Sequence, residues 1–113
     1  MKGGILLIYW KLEEAEKVKK IIFVVIIEKI HNQEMYDSYI RQVAGIIQAH
    51  NGEYIGRSNK LIPFTGERPE RSIVISFNSM DEAKGCFFSE EYEKIKHLRE
   101  NSTKSRAFFI END

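Results

Sequence analysis

The stretch IIFVVIIEKI, Ile21 to Ile30, decides how the rest of the chain is read. It is rich in β-branched residues and far shorter than the roughly 20 apolar residues of a membrane-spanning helix, so it reads as a strand. Side chains of a strand point alternately to its two faces. Here Phe23, Val25 and Ile27 face one way and Ile22, Val24 and Ile26 the other, and both sets are apolar. Such a strand has to be covered on both faces.

C-terminal to it, Asn32 is placed to cap a helix whose apolar stripe runs through Met35, Tyr36, Tyr39, Ile40, Val43, Ile46 and Ile47. His50-Asn51-Gly52 ends that helix, with Asn51 or Gly52 suited to a left-handed stop. Glu53 to Phe64 reads as a second strand, bent near Gly56, and TGERPE (Thr65 to Glu70) carries the Gly and Pro of a turn. Arg71 to Phe77 is a third, partly alternating strand. Ser79 followed three residues later by Glu82 is a capping box opening a short helix over Met80 to Phe88. Ser89 breaks that helix and caps the next, and Ser105 to Glu111 closes the domain as a fourth strand.

The order βαββαβ predicts an α+β, ferredoxin-like fold, with a four-stranded antiparallel sheet and the helices on one face. The opposite sheet face still needs a cover, because the first strand is apolar there too. A second copy of the chain is the economical cover. The prediction is a symmetric homodimer with its sheets face to face, a dimeric α/β barrel. Residues 21–113 form this domain. Residues 1–20 stand apart as an N-terminal extension, either an added element with a candidate strand at Ile5 to Tyr9 and a short helix through Leu12, Ala15 and Val18, or a mobile arm.

At 113 residues the chain holds one core, and 42% hydrophobic with 30% charged residues is the balance of a globular protein. Seventeen basic residues cancel seventeen acidic ones, which argues against nucleic acid and anionic membrane as partners. Ile5 to Trp10 is too short for a membrane span or a signal-peptide core, so a cytoplasmic location is expected. Cys86 is the lone cysteine, consistent with a reducing compartment and with a small buried apolar residue. The three histidines are far apart and show no zinc-site spacing, and neither GxGxxG nor a P-loop is present. No metal and no cofactor is expected.

Polar residues on apolar stripes carry what chemistry there is. In FFSEEYEKIKHLRENSTKSR, Phe87 to Arg106, Tyr92, Ile95 and Arg99 fall at i, i+3 and i+7 and share one helix face. Arg99 has two readings. A planar guanidinium clamps a carboxylate or phosphate, or it closes an internal salt bridge to Glu91 or Glu53 with its stem over Tyr92. His31 and His50 flank the first helix and are the candidate general bases; the rival reading of His50 is a helix C-terminal residue favoured by the dipole. His97 neighbours Lys96 on a charged face and reads as solvated. Tyr36, Tyr39, Tyr54 and Tyr92 either line the helix–sheet crevice or pack as core aromatics with their hydroxyls at the rim.

From Ile21 onward, about nine-tenths of its length, the chain resembles a small bacterial family of unknown function, "domain of unknown function 1330", in the dimeric α/β-barrel superfamily. The resemblance rests on Tyr36 and Tyr39, AHNG at Ala49 to Gly52, Arg57, Gly66, RSIVISF from Arg71, and SEEYEKIKHLRENSTKSR from Ser89. Family members usually show Ser-Pro-Glu-Tyr with an arginine seven residues after the tyrosine. Ser89, Glu91, Tyr92 and Arg99 match, and Glu90 replaces the proline. Asn51 stands where glycine is usual, Asn32 where aspartate is usual, and Thr65 where glutamate commonly precedes Gly66. The resemblance implies a ferredoxin-like dimer and no particular reaction, since the wider superfamily includes cofactor-free monooxygenases, haem-degrading enzymes and non-catalytic proteins.

The leading expectation is a protein that binds, and in an enzyme would transform, a small anionic or carbonyl metabolite in a helix–sheet pocket. Arg99 and Arg57 would hold the anion, Tyr39 and Tyr92 position the ligand, and His31 or His50 move a proton. The alternatives are a non-catalytic dimeric interaction or regulatory module, with a filled interior and an exposed apolar patch, and a cofactor-free monooxygenase-like enzyme by superfamily analogy.

Overall fold

The computed structural model describes residues 20–112; the strand and helix expected within residues 1–20 fall outside the described residues, Lys20 excepted. Strand β1 (Ile21–Ile30) is followed by helix α1 (Gln33–Ala49), β2 (Glu53–Ser58), β3 (Arg71–Phe77), α2 (Met80–Phe87), α3 (Glu90–Ser102) and β4 (Thr103–Ile110). The sheet order is β2-β3-β1-β4 with every neighbouring pair antiparallel. This is the ferredoxin-like arrangement, its second helical segment split in two.

Each boundary has a local cause. Asn32 caps α1, its side chain accepting from the Met35 N–H at 3.0 Å. Ser79 and Ser89 do the same for α2 and α3, accepting from Glu82 and Tyr92 N–H. Ser89 also donates to the Cys86 carbonyl at 2.7 Å, so one hydroxyl closes α2 and opens α3. At the end of α1 the N–H of Asn51 reaches the Gln48 carbonyl and that of Gly52 the Ile47 carbonyl. These two bonds form a Schellman stop, with Asn51 itself left-handed at φ 61°. The asparagine thus fills the glycine role.

β1 is central, paired to β3 along one edge and β4 along the other. Ile21, Phe23 and Ile27 are buried beneath the helices with Ile73, Ile75 and Phe77 of β3 and Val43 and Ile47 of α1. Residues of the opposite parity line up across the other face. Val74, Val24 and Phe108 form one row, and Ile110, Ile22 and Ser76 another. Phe108 and Ile110 remain about two-fifths exposed, at 41% and 40%. At the edge of this face Glu28 pairs with Lys104 at 3.4 Å and with Arg106 at 3.6 Å.

One expected element is shorter than its sequence suggests. β2 ends at Ser58 rather than running to Phe64, after a register shift between Tyr54 and Gly56. Asn59 to Glu70 form a loop in which Ile62 and Phe64 are almost wholly exposed, at 95% and 100%. Pro63 lacks the N–H a strand would donate, and β3 begins only at Arg71, so no neighbouring strand is there to pair.

Gly52 sits where the chain turns against the core. A Cβ there would lie 2.6 Å from Ile47 Cγ2 and 2.7 Å from the Phe77 ring. Both neighbours are fully packed, so Gly52→Ala is expected to cost about 1–3 kcal/mol by overpacking. Urea denaturation reads this directly, and an unchanged midpoint would show that the turn yields freely.

Candidate functional site

The side chains brought together from three elements are Tyr39 of α1, Tyr92 and Arg99 of α3, and Ser105 of β4. The Tyr39 and Tyr92 hydroxyls hydrogen-bond to each other at 2.8 Å. Arg99 Nε donates to the Tyr92 oxygen at 3.2 Å, and its Nη1 donates to Ser105 Oγ at 3.4 Å. Seven residues are about two helical turns, so Tyr92 and Arg99 stack on one face of α3 and both look toward the sheet. The Arg99 carbonyl is held as well, accepting from the Thr103 hydroxyl at 2.8 Å and from the Thr103 N–H. Thr103 and Ser105 join through their own hydroxyls at 3.0 Å.

Beside this network lies a cavity of about 230 Å³, floored by Phe23, Val25 and Phe109 and rimmed by Tyr39, Tyr92 and Arg99. Phe87 forms another wall, stacked on Phe23 with ring centroids 4.1 Å apart and edge-on to Tyr92 at 5.2 Å. The volume is below the roughly 300–1,000 Å³ of sites for drug-sized ligands, which favours a small occupant.

The internal salt bridge that would silence Arg99 is not made to Glu91 or Glu53. Among the described residues its ion-pair partner is Glu100, at 3.9 Å on the outer edge, and that carboxylate is half exposed. Burial works against the guanidinium charge, and Tyr92, Tyr39 and Glu100 more than offset it, so its pKa moves up. Arg99 is therefore always cationic. Tyr39 moves up as well, first through burial and then through Tyr92, with Arg99 only partly opposing. It stays a neutral phenol at ordinary pH and acts as a hydrogen-bonding group rather than a base.

The other sequence candidates lie elsewhere. Arg57 is exposed on β2, its guanidinium 4.5 Å from the centre of the Tyr54 ring, and it does not line the Arg99 cavity. His31 is exposed at the β1–α1 junction, where its backbone N–H donates to the Ser102 carbonyl at 2.7 Å. His50 follows the last residue of α1, its Nδ1 2.9 Å from the Ile46 carbonyl. Neither histidine lines the cavity. His97 is exposed. Arg106, seven residues beyond Arg99, belongs to the opposite sheet face and to Glu28. Tyr36 is buried with its ring 6.3 Å from that of Tyr39. Among the described residues no group of three His, Cys, Asp or Glu side chains is arranged to hold a metal ion, and no helix is long and apolar enough to cross a membrane.

Sequence reading missed Thr103 and Ser105. Their signal was present: two hydroxyl residues at strand spacing directly after the arginine helix share a face, and here that face is the one under Arg99.

A ferredoxin-like α+β domain with an arginine and two tyrosines in its helix–sheet crevice defines the class. The chain belongs to the family described as "Domain of unknown function (DUF1330)", whose model matches residues 21–113. Protein RPA0582 of Rhodopseudomonas palustris, of unknown function, superposes with a TM-score of 0.71 at 11% identity, over 84% of this chain and 83% of that one. A mutant form of SnoaB, a cofactor-independent oxygenase from Streptomyces nogalater, gives 0.61 at 10% identity, over 83% and 93%. A dimeric ferredoxin-like protein of unknown function from Jannaschia sp. CCS1 gives 0.59 at 9%, over 82% and 99%. No curated protein matches the sequence. At these identities the likeness establishes the fold and leaves the chemistry to the site.

Cys86 is fully buried, and burial pushes its thiol from 9.0 up to about 12. A raised pKa favours the neutral thiol in the folded state. Its contribution to stability is therefore fully present below pH 9.0 and is lost as pH rises through about 12. Iodoacetamide at pH 8 is expected to modify native Cys86 at least about a hundredfold more slowly than the urea-unfolded chain. Equal rates would show that the folded chain leaves this thiol accessible.

Proposed function

We propose that this protein binds a small anionic or carbonyl metabolite in the Tyr39–Tyr92–Arg99 cavity and acts as a homodimer joined through the open face of its sheet. One observation supports the binding reading above the others. A permanently charged, three-quarters buried Arg99 side chain borders a cavity while its ion-pair partner stands off at 3.9 Å. A charge taken out of water is costly unless paired, and a ligand carboxylate or enolate would complete the pairing. The Tyr39 and Tyr92 hydroxyls would orient the ligand beside it. Such donors stabilise negative charge developing on a carbonyl oxygen, so the site suits polarisation of a substrate more than proton abstraction. His31, His50 and Arg57 lie outside this cavity and are given no part in it. A cytoplasmic setting, with a reduced lone thiol and a diffusible metabolite, accords with this reading.

The dimer reading rests on exposed apolar surface. Ile22, Val24, Ile26, Val74, Phe108 and Ile110 share the sheet face turned away from the helices. Contiguous apolar surface of this kind marks an interaction site, and two such sheets pack face to face with side chains interdigitated. The Jannaschia protein shares the fold and is dimeric, which supports a dimer without fixing its interface.

A thermal-shift screen against small carboxylic and keto acids tests the cavity. An acid at about a hundred times its Kd stabilises the native state by about 2.7 kcal/mol. Arg99→Gln is expected to abolish that shift while leaving the fold intact by circular dichroism. No stabilisation across a broad acid library, or an undiminished shift in the variant, would sink the proposal.

The assembly has its own test. Light scattering is expected to give twice the chain mass for the wild type and the single mass for Val24→Lys, because a lysine in the middle row of the face cannot be desolvated without a partner charge. A monomeric wild type removes the dimer.

A further inference from the structure

A second cavity opens beside the first half of α1, where that helix faces the β2–β3 loop and the start of β3. It measures about 490 Å³ and is lined by Gln33, Tyr36 and Asp37 of α1, Asn59, Arg68 and Glu70 of the β2–β3 loop, and Arg71 of β3, with Ile30 and Ile40 as its apolar part. The loop is held in place there. Glu70 N–H donates to the Ile27 carbonyl at 2.9 Å, the Glu70 carboxylate accepts the Ile30 N–H at 2.7 Å, and Arg68 Nη1 donates to the Asn59 carbonyl at 3.3 Å.

Two polar atoms at its floor lack partners. Tyr36 is 3% exposed, and neither its hydroxyl nor Arg71 Nε makes a hydrogen bond among the described residues. Buried polar atoms are nearly always paired, so two orphans side by side call for an explanation. The Arg71 guanidinium is close enough, by its charge and as a nearby donor, to counter part of the upward push that burial gives the Tyr36 phenol, yet it closes no well-formed hydrogen bond to the hydroxyl. Its charge has no carboxylate within salt-bridge distance among the described residues, unlike that of Arg106, paired to Glu28. Two guanidiniums and two carboxylates line the space. Asp37 Oδ1 already accepts from Gln33 Nε2 at 2.9 Å, and Glu70 Oε2 from Ile30. That leaves one oxygen on each acid outside these bonds.

We propose that this cavity is a second binding site, for a small carboxylic acid that also carries a hydrogen-bond donor, a hydroxy acid or an amino acid. Its carboxylate takes the two-pronged guanidinium of Arg71, with Arg68 at the mouth, and a small turn of Arg71 brings Nε and the Tyr36 hydroxyl into the same network. The hydroxyl or ammonium of the ligand faces Asp37 and Glu70. A simple dianion fits worse, because the two acids would repel its second charge. The site is separate from the Arg99 cavity and does not depend on that reading.

Backbone amide NMR titration of the full chain with L-lactate, L-serine and malonate tests this. Saturable shifts from lactate or serine are expected at Gln33, Tyr36, Asn59 and Arg71, with malonate at least about threefold weaker because it offers no donor and carries a second charge. Tyr36→Phe and Arg71→Met are each expected to weaken the better probe by at least about tenfold. Tyr36→Phe removes an unpartnered hydroxyl and should melt no lower than the wild type, which separates lost binding from lost folding. No saturation by either probe, shifts confined to Glu93, Arg99 and Phe109, or undiminished binding in both variants would overturn the site. Malonate binding as tight as the better probe would overturn the role given to Asp37 and Glu70.

Discussion

Phe23 and Ile27 of β1 pack under the helices while the same strand hydrogen-bonds to β3 on one edge and β4 on the other. That burial is the constraint on which the rest depends. A central strand fixes the level of the helix layer, and a one-residue slip would exchange its two faces. Once Phe23 lies inward, Phe87 stacks on it at 4.1 Å, and Phe87 in turn meets Tyr92 edge-on. Tyr92 then reaches Tyr39 across the gap between α3 and α1. The polar network is thus the outer end of an aromatic chain that begins in the sheet.

The split of the second helical segment serves this geometry. Ser89 ends α2 with one hydrogen bond and starts α3 with another, so α3 sets off on a new line. At its far end Thr103 locks the Arg99 carbonyl, and β4 begins at once. The Ser102 carbonyl between them accepts from both His31 and Asn32, tying the start of α1 to the end of α3. The backbone that carries the arginine is therefore fixed at both ends, while the ion-pair partner of its guanidinium is a half-exposed carboxylate 3.9 Å away. Preorganisation of this sort lowers the ordering cost of receiving a ligand.

The same central strand accounts for the apolar face on the other side. Ile22, Val24 and Ile26 gain no cover from the helices, and the flanking strands add Val74, Phe108 and Ile110 to the patch. Glu28, Lys104 and Arg106 form an ion cluster at one edge. An apolar centre with a charged margin is the ordinary anatomy of an interface between chains.

Local pattern by itself determined most of the fold. β1, α1, β3 and the capped starts of all three helices follow from side-chain alternation, helical spacing and cap residues, because those interactions span at most a few positions. The two-faced β1 also announced the exposed sheet face. The second strand was over-extended because Leu61, Ile62 and Phe64 are apolar. Whether an apolar residue is buried depends on a partner strand, and spacing along the chain does not supply one. The Tyr92–Arg99 pairing was legible, since both lie on one helix. Its join to Tyr39 and Ser105, the distance of Glu100, and the placement of Arg57 and both flanking histidines away from that cavity were decided only by the tertiary structure. So was the meeting of Tyr36 with Arg71, which lie 35 positions apart. A site is a convergence of elements remote in sequence, fixed by how the helices seat on the sheet, and the free energy of that seating is spread over the whole core.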